Sequence, residues 1–136
     1  MRTLLNIIWF LLGGFWLAVG YLVAGVIACL FIVTIPVGVA SFRMAHYALW
    51  PFGKAVVPAP RAGALSALSN LIWFLVAGWW LALLHIATAV VQTLTIVGVL
   101  NALVSLKMIP VACFPFGKQI IDRNHLHPDQ RPLHSV

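Results

Sequence analysis

Asn6-Ile7-Ile8-Trp9-Phe10-Leu11 returns 64 residues later as Asn70-Leu71-Ile72-Trp73-Phe74-Leu75. The same offset, without a gap, carries Gly14 onto Gly78 and Trp16-Leu17-Ala18 onto Trp80-Leu81-Ala82. It carries Ile32-Val33 onto Ile96-Val97, Arg43-Met44 onto Lys107-Met108, and Pro51-Phe52-Gly53-Lys54 onto Pro115-Phe116-Gly117-Lys118. About 20 of the 52 positions from 6 to 57 match their counterparts. Apolar composition alone does not align Asn, Trp, Gly and Lys, so the chain is a tandem duplication. It divides into a first repeat (1–58), a linker (59–69), a second repeat (70–121) and a polar tail (122–136).

The setting of the duplication is a membrane. Of the 136 residues 63% are hydrophobic and 7% charged, with a mean hydropathy of +1.07. Soluble domains carry about 25% charged residues. Thr3 to Phe42 holds no charge, and Ala62 to Leu106 holds none apart from what His85 can carry. About 20 apolar residues already span a bilayer as a helix. The net charge is +6, and six of the eight bases lie at the ends and between the apolar runs: Arg2, Lys54, Arg61, Lys118, Arg123 and Arg131. That placement fits cytoplasm-facing segments beside anionic headgroups rather than nucleic-acid binding.

Each uncharged run is too long for one crossing, since about 40 helical residues extend roughly 60 Å against a hydrocarbon core of about 30 Å. Each copy is therefore expected to cross and return: an all-α membrane protein with, per repeat, a long transmembrane helix and a shorter helix that is a short span, re-entrant or interfacial. The long arms are expected at Asn6 to Ala28 and Asn70 to Val91, and the short ones at about Val37 to Trp50 and Leu100 to Phe114. Reversals fall near Leu30 to Pro36, where Pro36 cannot sit mid-helix without a break, and near Gln92 to Gly98. An even number of arms returns both Pro-Phe-Gly-Lys segments to one side, with both termini cytoplasmic. Val26-Ile27-Ala28-Cys29 imitates a lipoprotein cleavage site, but the apolar residues after Cys29 continue the repeat, so the first span reads as retained. Cys29 and Cys113 read as buried thiols without metal spacing.

Trp50-Pro51-Phe52-Gly53-Lys54 and Phe114-Pro115-Phe116-Gly117-Lys118 are the most specific local signal. Pro ends the helix before it, Gly admits a positive-φ turn, and the aromatic and Lys suit headgroup depth. They read as interfacial turns, with a gate or docking site as the alternative. Arg43 and Lys107 are pseudo-equivalent bases in apolar arms with no acid before Asp122. Intramembrane bases either snorkel or serve a function. Arg43, with His46 one turn on, and Lys107 are candidates for an electropositive ring that attracts anions once several subunits assemble, with Arg43 and Lys107 expected to face each other's neighbourhood. Gln92, Thr95 and Asn101 have no polar counterpart in the first copy and form either a polar hairpin tip or part of a passage. Asn6 and Asn70 read as structural hydrogen-bonders, Gly13, Gly14, Gly20 and Gly25 as helix-packing positions. His125, His127 and His134 lie in a tail expected to be disordered. No nucleophile–base pair, phosphate loop or metal constellation is visible, so no enzyme activity and no cofactor is expected. The lack of membrane acids argues against a proton-driven exporter.

Asn6-Ile7-Ile8-Trp9, Ile32-Val33-Thr34-Ile35-Pro36-Val37-Gly38, Phe42-Arg43-Met44-Ala45 and Trp50-Pro51-Phe52-Gly53-Lys54 resemble the YccF-type inner-membrane component family of bacteria. The second copy resembles it again through Asn70-Leu71-Ile72-Trp73, Thr95-Ile96-Val97-Gly98 and Phe114-Pro115-Phe116-Gly117-Lys118. Two departures stand out: Thr34 where the family pattern has Gly, and Leu100 where it has Pro. The resemblance implies an inner-membrane location and this architecture more than a mechanism. Two functions are expected from the whole. One is a homo-oligomeric, channel-like protein that passes anions or small solutes. The other is a membrane scaffold or accessory subunit that binds a partner protein or lipid.

Overall fold

The computed structural model describes residues 1–60, 62–96 and 98–136. Arg61, one of the flanking bases, and Val97, in the second reversal, lie outside the described residues.

Each copy is a helical hairpin. Helix α1 runs Arg2–Cys29 and α3 runs Ala64–Thr93, both long and apolar enough to cross a membrane. The shorter returns are α2 (Ile35–Leu49) and α4 (Gly98–Cys113). The long helices start earlier than the repeat pattern suggested. Helix α3 begins at Ala64, inside the stretch expected to be linker, because Ala64-Leu65-Ser66-Ala67-Leu68 contains no breaker once Gly63 is passed. Pro36 lies at the reversal as expected, in the first turn of α2, where its missing N–H would have had no intrahelical partner. Pro110 lies inside α4.

Packing within a hairpin relies on small residues. Gly25 on α1 lies against Gly38 on α2, where a Cβ on Gly38 would come 2.9 Å from the Gly25 carbonyl oxygen. Ala18, Ala24 and Ala28 on α1 and Ala40, Ala45 and Ala48 on α2 are likewise buried. In a membrane, where apolar burial no longer separates helix from lipid, such close approach supplies the dispersion that holds helices together.

Both long helices widen into one π turn at the same place in the repeat, Phe10–Gly14 and Phe74–Gly78. Just before it, Trp9 donates its indole N–H to the Ala48 carbonyl at 2.6 Å, and Trp73 donates to Ala112 at 2.7 Å. Those acceptors are among the last carbonyls of α2 and α4, which have no intrahelical donor. Gly14 is needed because a Cβ there would collide with the Trp9 ring.

The structure adds a three-stranded antiparallel sheet that the sequence did not reveal. Strands β1 (Lys54–Pro58), β2 (Lys118–Asp122) and β3 (His134–Ser135) lie in the order β2-β1-β3. Lys54 pairs with Asp122, Val56 with Ile120, and Pro58 with Lys118. The sheet closes the end of the bundle where α1 and α3 begin and α2 and α4 finish. Val56, Ile120 and Val136 pack into the core there with Trp9, Trp73 and Tyr47. The tail, expected to be disordered, is therefore folded: a short turn at Arg123–His125 leads to β3, which pairs with Ala55 and Val56. The outer edge of β1 offers backbone groups that the tail satisfies, Leu133 N–H to the Val56 carbonyl at 2.7 Å and Val136 N–H to that of Lys54 at 3.1 Å.

The two copies obey a pseudo-twofold relation. Ala59 N–H donates to the Gly117 carbonyl, and Arg123 N–H to that of Gly53, both at 2.9 Å. The long helices meet near the axis, where Tyr21 and His85 are hydrogen-bonded and Gly20 lies against Leu84 and Leu81.

Candidate anion-binding grooves

The Pro-Phe-Gly-Lys segments make the turns that join the short helices to the sheet. Gly53 and Gly117 take φ of +98° and +75°, a region costly for any residue with a Cβ. Asn6 clamps the first turn with two bonds, accepting from Phe52 N–H at 2.9 Å and donating to its carbonyl at 3.1 Å. Asn70 holds Phe116 in the same way, at 2.9 and 3.0 Å. Trp50 and Phe114 are exposed, as an interfacial position requires, while Pro51 and Pro115 are buried. The lysines do not extend into solvent. Lys54 pairs with Asp122 at 3.0 Å, and Lys118 donates to the Pro110 carbonyl at 3.0 Å. Lys54 holds the Asp122 carboxyl below its ordinary range, first by that hydrogen bond and then by its charge, with His125 and His46 adding to the effect.

Arg43 and Lys107 do not approach one another. They line separate grooves on the two sides of the molecule, because the pseudo-twofold that relates them also turns their helices apart. The first groove, about 520 Å³, lies between α2 and β2. Val39, Phe42 and Ile120 give it apolar walls, Arg43 gives it positive charge, and His46 and the Asp122-paired Lys54 line it as well. Arg43 and His46 are exposed on one face of α2, three residues apart. Lys54–Asp122 is the one ion pair among the described residues, so Arg43 has no carboxylate partner there.

The second groove, about 440 Å³, lies beside α4 and holds Lys107 and Arg123 with Leu5, Phe52, Leu100 and Leu103. Here the chain's own tail, through Ser135 and Val136, forms part of the wall. His134 sits at 3.1 Å from the Tyr47 hydroxyl. Its pKa is lowered by burial and further by Lys118 and Lys107.

The remaining polar candidates gather elsewhere. Gln92 and Asn101 are buried between α3 and α4, where Ser105 donates to Gln92 Oε1 at 3.2 Å. Gln92 Nε2 and both polar atoms of the Asn101 amide have no hydrogen-bond partner among the described residues. Thr95 is exposed at the reversal and accepts from Gly98 N–H at 3.1 Å. These three are not brought together with Arg43, His46 and Lys107. Sequence reasoning missed Tyr21–His85, Tyr47–His134 and Ser41, which donates to the Tyr21 carbonyl at 2.5 Å. The repeat offset that pairs position 21 with position 85 was the available signal for the first.

A duplicated helical hairpin with lipid-length apolar helices and basic grooves at one end defines a small helical membrane protein. The inner membrane component domain YccF matches it twice, at residues 4–54 and 68–118, and the chain belongs to that family. It is 32% identical over 130 residues to the inner membrane protein YccF of Escherichia coli (strain K12), covering 89% of this chain and 88% of that one. The protein of the same name from Shigella flexneri matches to the same extent. No solved structure matches the chain.

Proposed function

We propose that this inner-membrane protein works as a homo-oligomer that gathers anions or small solutes at its sheet end and passes them in a channel-like manner. The observation that carries the proposal is the first groove. Arg43 is exposed there in no ion pair, beside His46 and the apolar Val39, Phe42, Ile120 and Ile121, while the groove's Lys54 is held by Asp122. An uncompensated guanidinium beside apolar walls is a favourable site for an anion, by charge and by its fixed fork of donors. The groove opens outward from the protomer, so neighbouring copies are needed to enclose it. In this reading all four helices are embedded, both ends of the chain face the cytoplasm, and no chemical reaction is catalysed. Chloride efflux from proteoliposomes tests it. Efflux that falls several-fold in Arg43→Ala supports the proposal; no permeation of any ion, with the variant indistinguishable from wild type, contradicts it.

A second reading, a scaffold or accessory subunit that binds lipid or a partner protein, is favoured by the filled centre of the bundle. Trp9, Tyr21, Leu17, Trp73 and Leu81 are fully buried along it. A stable monomer in mild detergent that releases no chloride from liposomes would select this reading.

A further inference from the structure

The two outer edges of the β1–β2 pair are equivalent by the pseudo-twofold, yet only that of β1 is covered, by β3. On β1 the carbonyls of Lys54 and Val56 face outward and accept from Val136 and Leu133 of the tail. Their counterparts 64 residues on, Lys118 and Ile120, face outward from β2. Among the described residues, no strand pairs with that edge. A bare strand edge is a template for another strand, and folded proteins usually block or pair it.

The β2 edge is self-complementary. In an antiparallel pairing centred on Ile120, each Ile120 meets its copy, and Lys118 of one chain stands opposite Asp122 of the other, twice. The chain already shows this chemistry internally, where Lys54 stands opposite Asp122 in the ladder and bonds it at 3.0 Å. The Asp122 side chain remains half exposed, which leaves room for a second donor, and Lys118 would exchange its bond to the Pro110 carbonyl for that carboxylate. Opposite charges directly across a ladder favour pairing, and a twofold axis repeats the contact.

We propose that a second copy of this chain docks on the free edge of β2, joining two three-stranded sheets into one six-stranded sheet about a dyad at Ile120. The proposal rests on the homo-oligomer reading above and specifies its interface. The groove holding Arg43 and His46 runs along this same edge, with Gln119, Ile120 and Ile121 in its wall. The joined edges bring two basic grooves to one seam, where an anion would offset their repulsion.

Disulfide trapping in phospholipid vesicles tests the register. The two native cysteines are first replaced (Cys29→Ala, Cys113→Ala), and Ile120→Cys is then compared with Gln119→Cys. Directly opposed residues of a hydrogen-bonded antiparallel pair lie about 5.5 Å apart at Cα, within disulfide range. Oxidation is expected to link Ile120→Cys into dimers on the order of ten-fold more than Gln119→Cys, whose partner in this register is Ile121. A second arm leaves Ile120 intact and mixes tagged copies carrying Gln119→Cys with others carrying Ile121→Cys; mixed dimers are expected. Equal linking of Ile120→Cys and Gln119→Cys, or no linking in either arm, overturns the interface. The outcome is separable from chloride efflux. Linked dimers that pass no chloride leave the interface standing and sink the function, while unlinked chains that pass chloride do the reverse.

Discussion

The Tyr21 hydroxyl and His85 Nε2 lie 3.0 Å apart, at positions the duplication makes equivalent. A twofold axis would place two identical residues here, and the chain instead uses an unlike pair that can share one hydrogen bond. Both side chains are fully buried in the bundle. Removing the hydroxyl leaves an imidazole nitrogen unsatisfied in an apolar setting, a loss of about 1–3 kcal/mol. Tyr21→Phe is therefore expected to lower the thermal midpoint in detergent by several degrees. The double variant Tyr21→Phe/His85→Leu should recover part of that loss, a coupling that independent effects would not give.

The Trp caps give a matched pair of predictions. Trp9→Phe frees the Ala48 carbonyl and Trp73→Phe the Ala112 carbonyl. Each is expected to cost about 1–3 kcal/mol, since a buried acceptor loses its donor. The two bonds share no residues, so the costs should add within about 0.5 kcal/mol in chemical or thermal unfolding.

Gly53→Ala and Gly117→Ala force a Cβ into left-handed backbone, at φ of +98° and +75°. Each is expected to destabilise by about 1–2 kcal/mol. Amide exchange at Phe52 and Phe116 should rise in the respective variant, because the turns are held by the Asn6 and Asn70 clamps.

The docking of the tail should depend on pH. His134 has a folded pKa below its unfolded value, because burial, Lys118 and Lys107 disfavour its charge. A lowered folded value means that the unfolded or undocked tail binds the proton more readily. The stabilisation is thus complete above the unfolded histidine value of about 6.5 and is lost as pH falls through that value towards the folded one. Limited proteolysis of residues 126–136 is expected to accelerate between pH 7.5 and pH 5.5, and His134→Gln should flatten the dependence.

How much of this was legible beforehand differs by element. The hairpins followed from uncharged runs twice the span length and from the offset that aligns Asn6-Ile7-Ile8-Trp9 with its copy. The Gly turns followed from residue type. The sheet did not, because Ala55-Val56-Val57 and Ile120-Ile121 are short apolar runs without alternation. Their pairing is set by the pseudo-twofold, a tertiary relation. The tail looked disordered from its composition, but its order comes from an edge of β1 that no local pattern announces. Of the candidate sites, Arg43 and His46 do share a groove, as helical spacing implied. Lys107 was displaced to the other side because sequence equivalence says nothing about which way a symmetry axis turns a helix.

The most direct test is selectivity in a planar bilayer under a potassium chloride gradient. If Arg43 sets the sign of the permeating species, the wild-type reversal potential should lie toward that of chloride, and Arg43→Glu should move it toward that of potassium. A silent bilayer, or a reversal potential that Arg43→Glu leaves unmoved, would contradict the account.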